Sequence, residues 1–212
     1  MKELMENLRR NNMEPYYVEK AEDVVPLVKT LIKDGETVSS GGSMSLKQTG
    51  VTDLLKSGKY NFLDRTQEGL TPDDIREIYM KTFGADTYFA SANAVTKNGE
   101  IYNVDGNANR VSAIIFGPKQ VILVVGKNKI VDTLDNAIKR VKTIAAPLNT
   151  KRLSCDTYCN KTGHCISLDN GGNVMSDGCE SDGRICCSYT VLAHQRAKNR
   201  IKVILVNEEL GF

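Results

Sequence analysis

Gln120-Val121-Ile122-Leu123-Val124-Val125 holds an unbroken apolar run of five residues, and Ile201-Lys202-Val203-Ile204-Leu205-Val206 repeats its character near the end of the chain. A strand with one face in water alternates polar with apolar residues. A continuous run of this length belongs to a strand covered on both faces, as in a parallel sheet with helices on either side. It is also far short of the roughly 18 to 20 apolar residues of a membrane span.

Working outward, the elements around these strands alternate. Downstream, Val131, Leu134, Ile138, Val141 and Ile144 give the inner face of a helix over residues 131–145. Upstream come a strand at Thr87–Ala90, a hairpin turn at Asn98-Gly99, a strand at 100–103 and a short helix at 108–116. Met1, Leu4, Met5 and Leu8 follow helical spacing, and residues 13–18 read as extended. Asp23 caps a helix over 24–33 that tolerates Pro26 in its first turn and ends at Gly35. Short strands follow at 36–40 and 60–63, and Thr71-Pro72-Asp73-Asp74 opens a further helix. A helix is expected at 191–197, carrying His194 as a surface residue. The pattern predicts an α/β fold with an open, mostly parallel sheet. The 212 residues suit one domain, 1–212, with residues 153–188 as a Cys-rich lobe inserted before the last strand.

Lys+Arg 28 against Asp+Glu 26 leaves a net charge of +2, without a dense basic block. Nucleic-acid binding needs such a footprint, so that class is set aside. The first ten residues are charged throughout and lack a signal-peptide core. A cytoplasmic location is expected, with no membrane association.

All six cysteines fall in one segment, Cys155-x3-Cys159-x5-Cys165-x13-Cys179-x6-Cys186-Cys187. Packing gives no reason to crowd them, whereas thiolates converging on a soft metal or iron–sulfur cluster must reach one small volume. In a reducing compartment disulfides are set aside, and the choice lies between metal binding, which is favoured, and incidental buried or reactive thiols. The spacing matches neither a ferredoxin run nor a paired CxxC zinc ribbon. His164, beside Cys165, reads as a ligand, a switch, or an exposed residue next to glycines.

Two further motifs carry chemistry. Gly41-Gly42-Ser43 lies where a strand hands over to a helix and lets backbone amides approach an anion, or is simply a tight turn capped by Ser43. The run from Ser91 to Arg110 is dense in Asn, Gly and Asp. Its Asn93, Asn107, Asn109 and Arg110 suit a ligand carrying carboxylate or phosphate, or else a turn-rich connection that satisfies its own backbone. There is no Walker loop, no Gly-x-Gly-x-x-Gly fingerprint, no His-Glu-x-x-His motif and no Ser-His-Asp order.

The run Ala92-Asn93-Ala94-Val95-Thr96, with Asn103-Val104-Asp105-Gly106-Asn107, Asn109-Arg110-Val111, Phe116-Gly117-Pro118 and Asn128-Lys129-Ile130-Val131 after it, resembles the LUD-domain family, named for lactate utilisation. Gly41-Gly42-Ser43-Met44-Ser45-Leu46 and the closing residues 203–212 resemble that family's glycine loop and last strand. The resemblance spans nearly the whole chain. It implies a Rossmann-like fold similar to the ribose-5-phosphate isomerase and CoA-transferase group, whose members bind sugar phosphates, folates or acyl-CoA at strand ends. It also implies a part in oxidising lactate beside iron–sulfur partner proteins. Cysteine-tailed members tend to read Cys-x5-Cys-x2-Cys-x6-Cys. Cys159-x5-Cys165 and Cys179-x6-Cys186 match the two ends, which makes these four the expected ligands of a zinc ion or iron–sulfur cluster. Cys155 and Cys187 fall outside the pattern.

The leading expectation is a component of lactate or related 2-hydroxy-acid oxidation, with Gly41, Gly42 and Ser43 holding an anionic group of the substrate. The alternatives are a non-catalytic sensor of a phosphorylated or acyl metabolite with a structural zinc site, and a small ligase or transferase acting on a folate or CoA-like substrate.

Overall fold

The computed structural model describes residues 1–172 and 174–212. Leu4 and Leu8 form the buried stripe of α1 (Lys2–Arg10), which leads into β1 (Glu14–Val18). Val24 and Val28 are the inner face of α2 (Val24–Leu31). β2 (Thr37–Ser40) runs into Gly41-Gly42-Ser43. There the Ser43 hydroxyl accepts from the Leu46 amide and starts α3 (Met44–Gln48), with α4 (Val51–Leu55) behind it. After β3 (Asn61–Leu63), Thr71 and Asp74 cap each other reciprocally at the start of α5 (Pro72–Thr82), where proline costs no helical hydrogen bond. β4 (Thr87–Ala90) is followed by the hairpin of β5 (Ala94–Thr96) and β6 (Ile101–Asp105), turning at Asn98-Gly99. Next come α6 (Asn109–Ile115), β7 (Gln120–Gly126) and β8 (Ile130–Val131).

A long helical stretch follows as α7 (Leu134–Arg140), a π-helical turn over Val141–Ala145, and α8 (Ala146–Arg152). The Ala146 amide donates to Val141 O, five residues back. Pro147 has no N–H to continue the ordinary ladder, which explains the change of register at this point. The chain closes with α9 (Tyr158–Thr162), α10 (Ile166–Asp169), β9 (Ser188–Leu192) and β10 (Ile201–Val206).

Six strands make an all-parallel sheet in the order β1-β10-β7-β4-β2-β3. β7 shows why its sequence is apolar throughout. Val121, Leu123 and Val125 join the core under α1 and α6, while Ile122 and Val124 join the core under α2, α3 and α4. A second sheet, β8-β5-β6-β9, packs Ala94, Tyr102 and Val104 against Ala137, Ile138 and Val141. Among the described residues no helix is long and apolar enough to cross a membrane.

The α/β class and the parallel sheet agree with the sequence pattern, and several boundaries differ. The expected helix at 191–197 is a strand at its start, because Ser188–Leu192 pairs antiparallel with β6 and extends the second sheet. His194 lies in the loop beyond it, with Nε2 3.1 Å from Asn12 Nδ2. Val131 belongs to β8, and Thr133 starts the next helix by accepting from the Asn136 amide. Asp23 makes no side-chain cap of α2; its carboxylate accepts from the Lys20 amide instead. Residues 153–188 run from α8 to β9, so a strand of the second sheet stands between the cysteine segment and β10.

Candidate functional site

Because all six strands of the main sheet point the same way, their carboxyl ends share one edge. The chain leaving β2 places α3 and α4 on one face, whereas the chain leaving β4 leads towards α6 on the other. Such a divergence opens a crevice at the strand ends. A cavity of about 340 Å³ lies there, lined by Gly42, Ser43, Asn93, Asn107, Asn109 and Arg110, together with Arg65, Lys129, Asn149, Arg152 and Cys186. A second cavity of about 340 Å³ adjoins it behind Gly41, Gly42 and Ser43, with Arg65 and Arg152 in the wall of both.

Gly41 is not in the first cavity's wall, but it packs closely against the arginine that is. A Cβ there would meet Arg110 Cγ and Cδ at 3.2 Å and Tyr88 Oη at 3.0 Å. The glycine turn and Arg110 are therefore in direct contact.

Arg110 is the centre of a partly buried network. Nε donates to Asp105 Oδ1 (2.8 Å), Nη1 to Ser91 O (3.0 Å) and Asn103 Oδ1 (2.9 Å), and Nη2 to Asn93 Oδ1 (2.9 Å) and Val104 O (3.0 Å). All five donor positions of the guanidinium thus have protein partners. Asp105 also accepts from the Val111 amide (2.8 Å). Asn93, Asn103, Asp105 and Arg110 hold one another and join β4, β6 and α6. Asn107 and Asn109 face the cavity on either side of Ala108, whose φ of 56° is costly for a residue with a Cβ. Asn103 Nδ2 is the one buried side-chain donor without a partner among the described residues.

Lys129 lies in the family-like run Asn128-Lys129-Ile130-Val131, where no role was expected of it. It is only 3% exposed, and its Nζ donates to Ser45 Oγ and Ser91 Oγ, each at 3.0 Å. Among the described residues no carboxylate pairs with it. Burial pulls its pKa down from 10.5 to about 7, and the Arg140 and Arg110 guanidinium groups pull in the same direction. Arg140 is buried too, bound to Asn128 O (2.9 Å) and Asn93 O (2.7 Å). The sequence signal was a Lys-Asn-Lys step at the carboxyl end of a buried strand, where basic residues look like solvated loop.

The loop after β7 is closed over by the C-terminal residues. Leu210 N donates to Asn128 Oδ1, Asn128 Nδ2 donates to Gly211 O, and Ser45 Oγ donates to Leu210 O. A Cβ at Gly126 would lie 2.5 Å from Leu210 N and 2.8 Å from Glu208 O, so only glycine admits this crossing.

Cys159, Cys165, Cys179 and Cys186 line a single small cavity of about 30 Å³, and Cys155 and Cys187 do not. All six are free thiols. Burial pushes the Cys186 thiol up to about 12, and the nearby Cys159, Cys165 and Cys179 add to the shift. Among the described residues no three His, Cys, Asp or Glu side chains are in an arrangement that holds a metal ion. As thiols, the sulfurs associate with hydroxyls: Cys159 with Thr157 (3.5 Å) and Thr150 (3.7 Å), Cys165 with Ser167 (3.3 Å). Lys142 and Arg184 also line this cavity. His164 stands apart, its Nε2 2.8 Å from Asp169 Oδ1. The two cavities share a wall, because Val141, Ala146, Ile185 and Cys186 line both. Three of these come from the π turn and the cysteine segment.

The LUD domain matches the sequence over residues 1–206. The chain belongs to the LUD-domain family. A solved DUF162-family protein from Deinococcus radiodurans shares the fold of this LUD-domain chain, with a TM-score of 0.53 at 15% identity, covering 97% of this chain and 94% of that one. The β subunit of eIF2B from Chaetomium thermophilum is more distant, with a TM-score of 0.34 at 14% identity over 53% of this chain and 40% of that one. No curated protein matches the LUD-domain chain in sequence.

Proposed function

We propose that this LUD-domain protein binds a small 2-hydroxy carboxylate such as lactate in the strand-end cavity and takes part in its oxidation, beside a metal centre held by Cys159, Cys165, Cys179 and Cys186. The observation that carries this reading is the shared wall, since Cys186 borders both the anion cavity and the cysteine cavity.

The residues lining the strand-end cavity beside Arg110 favour an anion. Arg65, Arg110 and Arg152 stand against Asp105 as the one side-chain carboxylate in the lining, and that carboxylate is bound by Arg110. Arg65 is steadied by Tyr79, whose hydroxyl accepts from its Nη1 at 3.0 Å. Arg152 is steadied by Asn149 Oδ1, at 3.0 Å from Nε and 2.7 Å from Nη2. Held in this way, their charges are already directed at the cavity when a carboxylate arrives. Asn107, Asn109 and Ser43 supply neutral hydrogen-bonding groups for a hydroxyl or carbonyl.

The four cysteines suit a soft metal in charge as well as in type. A divalent ion in four thiolates is a dianion, and Lys142 and Arg184 supply two cations in the same wall. Lys142 is fixed by donating to Ser167 Oγ (2.7 Å) and Val174 O (2.6 Å). Bound there, an iron–sulfur centre would carry electrons away from the cavity and a zinc ion would tie the segment together. The chain has no nucleotide or flavin fingerprint, so electrons would pass to a separate redox protein.

Titration calorimetry with L-lactate, glycolate, pyruvate and phosphate tests the anion site. The carboxylates are expected to bind, more weakly as salt rises, and Arg152→Met should weaken them at least tenfold without moving the thermal midpoint. Absence of heat with every carboxylate at millimolar concentration would refute the reading.

A further inference from the structure

Lys129 has no part in the anion-binding reading that any other cation in the wall could not play, yet its setting is unlike theirs. Arg65 and Arg152 reach the cavity as fixed charges. Lys129 is a primary amine, buried, without a carboxylate partner among the described residues, and it lies in the same wall.

The hydrogen-bond directions around it are decided by its neighbours. Ser45 Oγ gives its proton to Leu210 O at 3.2 Å, and Ser91 Oγ gives its proton to Ala92 O at 3.4 Å. Both hydroxyl oxygens therefore accept from Lys129 Nζ. A neutral amine has two N–H bonds and one lone pair. The two serines use both N–H bonds and leave the lone pair without a donor. A protonated amine would carry a third N–H for which these neighbours offer no acceptor.

We propose that Lys129 captures the carbonyl of a small 2-oxo acid as an imine, so that the cavity is a covalent carbonyl site as well as an anion site. The inference rests on the reading above for the class of ligand only: the guanidinium groups of Arg65 and Arg152 take the carboxylate, and the amine takes the adjacent carbonyl. The Lys129 lone pair attacks the carbonyl carbon and a C–N bond forms. The two amine hydrogens leave with the carbonyl oxygen as water, so nothing is oxidised or reduced. Ser45 and Ser91, already bonded to Nζ, are placed to relay those protons. Desolvation beside two guanidinium groups, which lowers the pKa to about 7, keeps a large fraction of the amine neutral near neutral pH. An ordinary lysine is almost wholly protonated there.

The test uses the full chain, pyruvate or glyoxylate as the probe, and cyanoborohydride to reduce any imine, followed by intact mass and peptide mapping. One adduct per chain is expected, on Lys129, formed well ahead of the exposed lysines, with a rate that climbs through pH about 7. L-lactate, which has a hydroxyl in place of the 2-oxo carbonyl, should protect the site by competition. Lys129→Met should leave only slow, scattered modification. Mapping on the unaltered chain decides the matter even if that variant folds poorly. Pyruvate binding by calorimetry with Lys129 unmodified would overturn the imine and leave the anion site standing. Absence of both binding and adduct would overturn both.

Discussion

Replacing Lys129 with methionine should make the protein more stable in mild acid and less stable in alkali. A fall in pKa from 10.5 to about 7 in the folded state corresponds to roughly 5 kcal/mol of differential interaction. Below pH 7 the amine is charged in both states, and the folded chain bears that penalty in full. Between about 7 and 10.5 the unfolded chain binds a proton that the folded chain lacks, so stability rises with pH by about 1.4 kcal/mol per unit. Methionine removes the charge at similar length and gives up the bonds to Ser45 and Ser91, worth about 1 kcal/mol each. The variant should therefore be more stable by roughly 3 kcal/mol at pH 6, equal near pH 9, and less stable above that. Urea denaturation of both proteins across this range measures the difference, in which every other titrating group cancels. A difference that stays constant with pH would show that Lys129 is not a desolvated amine, and the reasoning would fail with it.

Five other outcomes follow from the same account. Arg110→Met strands Asp105 and the Asn93 and Asn103 carbonyls in a buried site, and should cost about 3 to 5 kcal/mol in chemical denaturation. Gly126→Ala drives a Cβ against Leu210 N and should cost about 1 to 3 kcal/mol, with weaker ligand binding because the closing residues 207–211 must shift. In metal-free protein, alkylation followed by mass spectrometry should find Cys186 modified last, since burial holds its thiol protonated well above the usual range. Serine at Cys159, Cys165, Cys179 or Cys186 should each lower bound metal per chain, while Cys155→Ser and Cys187→Ser should not. Chelation should open residues 153–188 to proteases before the rest.

The main sheet was legible because its signal is local. Unbroken apolar runs at Val121–Val125 and in Ile201–Val206, the Thr71–Asp74 cap and the Asn98-Gly99 turn each act within a few residues. The second sheet was not, because β9 exists by pairing with β6 across the whole of residues 106–187. Val191 and Leu192 alone fit a helix as well as a strand. The polar run from Asn93 to Arg110 was legible as unusual, but its division of labour was not. Sequence shows the donor fork of Arg110, whereas only packing shows that Asn93, Asn103, Asp105 and two carbonyls occupy it. Lys129 was invisible for a related reason. Its burial comes from loops after β2, β4 and β7 meeting at one sheet edge, which no local pattern records.

The central claim is that a 2-hydroxy carboxylate and a cysteine-bound metal occupy neighbouring cavities separated by Cys186. Anaerobically grown crystals soaked in L-lactate, with anomalous data at the iron and zinc edges, test it most directly. The account predicts carboxylate density contacting Arg65 or Arg152 near Lys129, and one anomalous peak bonded to Cys159, Cys165, Cys179 and Cys186. Density elsewhere, or four thiols with no metal between them in protein kept anaerobic throughout, would contradict it.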